Sequence, residues 1–158
     1  MSTTRKVTDV WMHCSNSAVR RAARQLGQLY GGVLGASDLR STQFSLLSQI
    51  ASSGEPTLKS LAGAMVMDLS ALGHTLKPLL RDGMVEMLPD PHDKRVKRVR
   101  LTAEGEARRG ELMAAWRDAQ DRFDSLLGRE KSEELRRTLA QIGSPEFAAA
   151  FAAAGKGK

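Results

Sequence analysis

One cysteine in 158 residues excludes an internal disulfide, so packing alone must hold the fold. The chain has no signal-like segment and no long apolar run; no membrane anchor is expected, and the cytoplasm is the expected compartment. It has no paired carboxylates in a recognisable frame, no Ser-His-Asp order with a supporting motif and no Gly-rich phosphate loop. Gly31-Gly32 and Gly73 do not make a nucleotide fingerprint. No enzyme and no cofactor are expected. Cys14, His13, His74 and His92 show neither CxxC nor HxxxH spacing, so no metal site is expected either. What is present is an ordinary globular composition, 41% hydrophobic and 27% charged, at a length that fits one domain with a real core. The formal net charge of +6 makes a polyanion a fitting partner.

Apolar residues recur at helical spacing from Thr8 to Val33, with Val10, Cys14, Ala18 and Ala22 on the stripe. This predicts a long first helix that Gly31-Gly32 interrupts or ends. A second helix starts at Ser41 or Thr42, carries Phe44, Leu47 and Ile50, and stops at Gly54. A third starts at Thr57 and buries Leu58 and Leu61. Asp68 caps a fourth, Leu69 to Arg81, which Gly83 terminates. Pro78 within that helix removes one backbone bond and should bend or loosen its last turn. Next come a short apolar strand, Met84 to Leu88, a turn rich in Pro and Asp, and a second strand, Val96 to Leu101. Thr102 opens a long helix on which Leu112, Trp116, Ala119, Phe123 and Leu126 step by four and three. Glu133 to Ile142 predicts a further helix, and Phe147 and Phe151 stand among alanines near the end of the chain.

Two short helices joined by a tight connection and followed by a basic hairpin describe a winged helix-turn-helix. The expected fold is mainly α with a small β-hairpin wing: a DNA-binding head over residues 38–102 and a helical dimerisation region over 8–34 and 103–153, within one domain of residues 1–158. In this geometry Leu69 to Arg81 enters the major groove, where Ser70, His74 and Thr75 meet base edges and Lys77 lies nearer the backbone. Lys94, Arg95 and Lys97 of the hairpin lie against phosphates or reach into a groove. Terminal helices with surplus apolar surface point to a homodimer reading two half-sites of a pseudo-palindromic double-stranded operator. The rival reading is an architectural DNA-binding protein with little sequence preference. A recognition helix of mixed polar and apolar residues, rather than a plainly basic one, argues against it.

The segments Ser41-Thr-Gln-Phe-Ser-Leu-Leu, Asp68-Leu-Ser-Ala-Leu and Asp82-Gly-Met-Val resemble the MarR family of bacterial transcriptional regulators. So, above all, do Asp93-Lys-Arg95 and Val99-Arg-Leu-Thr102-Ala-Glu-Gly105. The order of helices and hairpin fits nearly the whole chain. The resemblance implies that Arg95 inserts into the minor groove with Asp93 bracing its guanidinium. It also implies an obligate homodimer built from the N- and C-terminal helices, acting most often as a repressor. Its control would come from an unidentified small ligand, aromatic or acidic, or from a thiol, at the junction of dimer region and head. Gly73 and His74 depart from the Arg or Thr frequent in relatives, so base preference does not transfer.

Cys14 has two readings. It matches the place of a reactive cysteine in the peroxide-sensing OhrR group, and it also sits on an apolar stripe, where a free cysteine acts as a small buried hydrophobe. Trp11 and Trp116 are candidates to line a ligand pocket, with Arg20 and Arg24 as cations at its mouth. The alternative is an ordinary core beneath a solvated arginine face.

Overall fold

Helix starts in this chain follow from local side-chain chemistry. Thr57 Oγ1 accepts the Ser60 N–H at 3.0 Å, Asp68 Oδ1 the Ala71 N–H at 2.7 Å, Thr102 Oγ1 the Gly105 N–H at 3.1 Å, and Ser144 Oγ the Phe147 N–H at 3.1 Å. Each such bond satisfies an amide that a helix start leaves unpaired and contributes about 1 kcal/mol. The computed structural model describes residues 10–35 and 41–155, with side chains from residue 12 onward. The sequence expectations for residues 8, 9 and 38–40, and for the Trp11 side chain, lie outside the described residues.

The elements are α1 (Val10–His13), α2 (Ser15–Leu34), α3 (Ser41–Ser53), α4 (Leu58–Ala64), α5 (Leu69–Arg81), β1 (Val85–Pro89), β2 (Lys97–Leu101), α6 (Ala103–Leu127), α7 (Arg129–Ile142) and α8 (Pro145–Ala154). Helix α3 is the hub, touching α2, α4, α5, α6 and β2. Its Phe44, Leu46, Leu47 and Ile50 are buried against Leu61 and Ala62 of α4, Leu72, Leu76 and Leu79 of α5, and Val85 and Val99 of the hairpin. Leu34 from α2 and Leu112 from α6 close the same core. The fold is thus mainly α with one antiparallel hairpin, in which Val85 faces Leu101 and Pro89 faces Lys97. Among the described residues no helix is long and apolar enough to cross a membrane.

The free edge of β2 is covered by an element the sequence pattern did not announce. Pro56 O accepts the Val99 N–H at 3.0 Å, and Thr57 bridges to Arg98, so the segment between α3 and α4 acts as a minimal third strand. At the other end of β2 the chain is locked to the end of α5. The Thr102 N–H donates to Met84 O at 3.1 Å and the Thr102 hydroxyl to Gly83 O at 2.5 Å. Gly105 then packs so closely that an added Cβ would overlap the Met84 carbonyl oxygen. Any other residue would push α6 off the hairpin.

Three expectations are adjusted. The first helix is broken at Cys14, whose backbone is extended (φ −86°, ψ 104°) and which caps α2 through its sulfur; the polar run Ser15-Asn16-Ser17 favours a helix start there. Gly31-Gly32 neither break nor end α2, because buried Leu34 beyond them anchors the last turn to the core. That packing outweighs the roughly 1 kcal/mol each glycine costs in helix propensity. Helix α5 has the expected bounds, Leu69 to Arg81 with Pro78 inside, and the Asp82 N–H closes its end on Pro78 O at 2.9 Å. Helix α7 begins at Arg129 rather than Glu133, since Gly128, at φ +90°, turns the chain in a conformation open to glycine. Among the described residues, one carries real backbone strain: Val66, in the turn between α4 and α5, has φ +52°, a cost of order 1–3 kcal/mol for a β-branched side chain.

Candidate nucleic-acid interface

Helix α5 buries one face and offers the other. Leu72, Leu76 and Leu79 lie in the core, while Ser70, Gly73, His74 and Lys77 are exposed. Thr75 is half-buried, and its hydroxyl donates to Ala71 O at 3.0 Å. Its oxygen lone pairs therefore remain for a donor, whereas its proton is already used. Pro78 has no N–H, so the His74 carbonyl loses its partner from within the helix.

The hairpin divides its basic residues into two sets. Lys94, Arg95 and Lys97 at the tip are exposed. Asp93 grips Arg95 by three bonds: the backbone N–H at 3.0 Å, Nε at 3.1 Å and Nη2 at 3.2 Å. These bonds hold the Asp93 carboxyl below the usual carboxylate range. The Arg95 side chain is nonetheless 91% exposed, so it is aimed without being covered. The second set is engaged in ion pairs within the head. Arg98 Nε meets Asp90 Oδ2 at 2.5 Å and its Nη1 reaches Glu55 O at 2.6 Å, while Arg100 pairs with Glu86 at 2.7 Å and Glu55 at 3.2 Å. Asp90 also accepts the N–H groups of His92 and Asp93 at 2.8 and 3.1 Å. The His92 amide first, then the Arg98 guanidinium and the Asp93 amide, lower its pKa to about 2.

A cavity of about 310 Å³ opens between α2, α3, α6 and α7; Tyr30, Phe44, Trp116, Gln120 and Arg136 are among its walls. Its polar side is one connected network. Tyr30 OH donates to Gln120 Oε1 at 3.0 Å, and Gln120 Nε2 to Asp124 Oδ1 at 2.9 Å. The buried Ser132 hydroxyl and Arg136 Nη1, the latter at 3.2 Å, donate to the same oxygen. Ser132 foremost holds the Asp124 carboxyl low, and burial pushes the Tyr30 phenol up. A second cavity of about 390 Å³ lies between α3 and α6, with Ser48, Ser52, Arg109 and Met113 among its walls and Phe44, Ser45 and Trp116 shared with the first.

Of the pocket candidates named from sequence, Trp116 lines both cavities, whereas Arg20 and Arg24 are exposed on α2 and line neither. Sequence reasoning missed Tyr30, Gln120 and Arg136. The spacing of four between Gln120 and Asp124, and between Ser132 and Arg136, was a usable signal for same-face pairs, though not for their meeting. Cys14 is half-buried; its sulfur accepts the Ser17 N–H at 3.4 Å, and that bond lowers the thiol pKa.

A profile of the MarR family matches residues 39–97. The multiple antibiotic resistance protein MarR of Salmonella typhimurium is 39% identical over 80 residues, 51% of this chain and 56% of that protein. This chain thus spans little more than half the length of that curated relative. The Mycobacterium tuberculosis transcriptional regulator MosR, solved in complex with DNA, superposes with a TM-score of 0.74 at 34% identity, covering 87% of this chain and 98% of MosR. A MarR variant from Escherichia coli in complex with operator DNA reaches a TM-score of 0.74 over 85% of this chain and 96% of its own. At 24% identity, that match shows the fold alone.

Proposed function

This chain belongs to the MarR family of winged helix-turn-helix transcriptional regulators, and on that premise we propose that it is a homodimeric repressor that binds a pseudo-palindromic operator. Helix α5 lies in the major groove, with Ser70, His74 and Thr75 at base edges and Lys77 toward the backbone. The wing tip lies over the minor groove, Arg95 entering it where the potential is most negative and Lys94 and Lys97 meeting phosphates. The observation that carries this reading is the common anchoring of both elements. Helix α5 through Leu72, Leu76 and Leu79, and the hairpin through Val85 and Val99, are rooted in one core while their polar sides remain exposed.

A second copy of the chain covers the apolar side chains left open on α2 and on α6 to α8, among them Val19, Leu29, Leu126 and Phe151. Residues 8–34 and 103–153 form this dimerisation region and 38–102 the head. Control acts where the two meet. The cavity beside Trp116 is walled by α2, α6 and α7 on one side and α3 on the other, so a small aromatic or acidic ligand there shifts the head against the dimer region. Cys14 offers a redox route as the second reading, favoured by its partial exposure and its hydrogen-bonded sulfur. A peroxide would oxidise the thiolate to a sulfenic acid and be reduced to an alcohol or water.

The test is binding of the purified protein to DNA from its own upstream region and to random DNA of equal length, at two salt concentrations, with and without peroxide. Selective binding by a dimer is expected. Equal binding to both DNAs would replace this reading with an architectural role, and an oxidation-insensitive complex would remove Cys14 from the mechanism.

A further inference from the structure

The turn of the wing is tied to the helix-turn-helix through a residue pair that has no place in the contact surface itself. Asp90 begins the turn and is buried, at 7% exposure, although Pro91, His92, Lys94, Arg95, Val96 and Lys97 after it are exposed. Its two carboxylate oxygens do different things. Oδ1 gathers the N–H groups of His92 and Asp93, fixing the backbone two to three residues before Arg95. Oδ2 takes Arg98 Nε, and Arg98 in turn spends Nη1 on the carbonyl of Glu55, in the loop that leads into α4. That loop is itself stitched to β2 by Pro56 O and Thr57. A continuous chain of charge-assisted bonds therefore runs from the wing tip, through Asp90 and Arg98, to the start of the first helix of the helix-turn-helix.

The requirement for these two residue types is geometric. A carboxylate can accept on both oxygens at once, and a guanidinium can donate in two directions from one rigid plane. Pro56, Thr102 and the buried Val85 and Val99 hold the base of the hairpin, and the Asp90–Arg98 pair is what extends that hold to its turn. Asp93 sets where the Arg95 side chain points, but it lies inside the tip and fixes nothing about where the tip sits.

We infer that Asp90 and Arg98 are positioning residues that set the height and tilt of the wing tip, and hence of Arg95, relative to the helix-turn-helix. For DNA this rests on the reading above; for the clamp itself it rests only on the bonds just described.

The test uses the full-length protein with Asp90→Asn and Arg98→Lys. Asparagine keeps an oxygen for the His92 and Asp93 amides but replaces the anion facing Arg98. Lysine keeps a positive charge but cannot fork between Asp90 and Glu55. In the free protein, tryptic cleavage after Lys94 and Arg95 should quicken about tenfold in Asp90→Asn and less in Arg98→Lys, while the whole protein still melts in one cooperative transition lowered by about a few degrees. On upstream DNA, hydroxyl-radical protection of the minor groove should weaken in the same order, while methylation protection of major-groove guanines persists. That split separates positioning from a general loss of structure, which would remove both footprints and abolish the cooperative melting transition together. Equal cleavage in wild type and Asp90→Asn overturns the clamp. Faster cleavage with unchanged minor-groove protection overturns the positioning role. If wild type itself gives no footprint, the DNA reading fails and the cleavage rates alone decide whether the clamp exists.

Discussion

The head and the helices around it are stabilised in different ways. Between Ser41 and Gly105 nearly every large apolar side chain on an inward face is buried, and the arginines of β2 find acidic partners within the same unit. In α2 and α6 to α8 the periodicity is as regular, yet Leu126 is 90% exposed, Phe151 75%, and α8 buries nothing. The same helical pattern therefore yields a finished core in one region and half of one in the other. An amphipathic stripe records that a face is to be covered but not by which chain.

Breaking the finished half should have the largest effect. Gly105→Ala forces a methyl group into the Met84 carbonyl and should cost about 3 kcal/mol or more, read as a lowered midpoint in urea unfolding. Arg95→Ala should leave that midpoint alone, since the side chain is mostly solvent, yet lower operator affinity about tenfold or more in a direct binding titration. Unchanged affinity would show that the wing is not a reader. Phe151→Asp should spare the head's unfolding and shift the dimer toward monomer in sedimentation at micromolar protein. A dimer of undiminished strength would move the interface away from α8.

The smallest effect concerns acid. With a folded pKa of about 2, the Asp90 carboxyl lies below the value of about 3.9 for an unfolded aspartate. Its contribution is therefore complete above pH 4 and fades as the pH falls toward 2. Asp90→Asn should flatten the stability profile across that window, with its deficit against wild type largest above pH 4 and almost gone near pH 2. An unchanged slope would mean that the carboxylate is not held as its three bonds indicate.

The legible parts of the fold were those written locally. Asp68 and Thr102 announce helix starts because a cap is a bond between residues three apart, and Gly83 announces a stop because the chain reverses there. The Asp93–Arg95 brace spans two positions, and it too could be inferred from the family resemblance. What stayed hidden joins distant residues. Arg98 with Glu55 spans 43 positions and Tyr30 with Gln120 spans 90, and no periodicity encodes such a meeting. The break at Cys14 was missed for another reason: the apolar repeat continues across it, while the serines beside it compete for the backbone. The candidate cavity was half legible, through Trp116, because a large aromatic on a seam faces something; its polar wall was not.

Because Gly105 and Thr102 weld the start of α6 to the hairpin, that helix and the wing cannot slide past one another. Helix α6 has 25 residues, roughly 37 Å of stiff rod, with Trp116 near its middle. It behaves as a lever arm whose first turn is fixed to the hairpin and whose far end packs against α7. A tilt of a few degrees at the cavity would then reach the wing as a displacement of ångströms, with no flexible joint along the rod to absorb it.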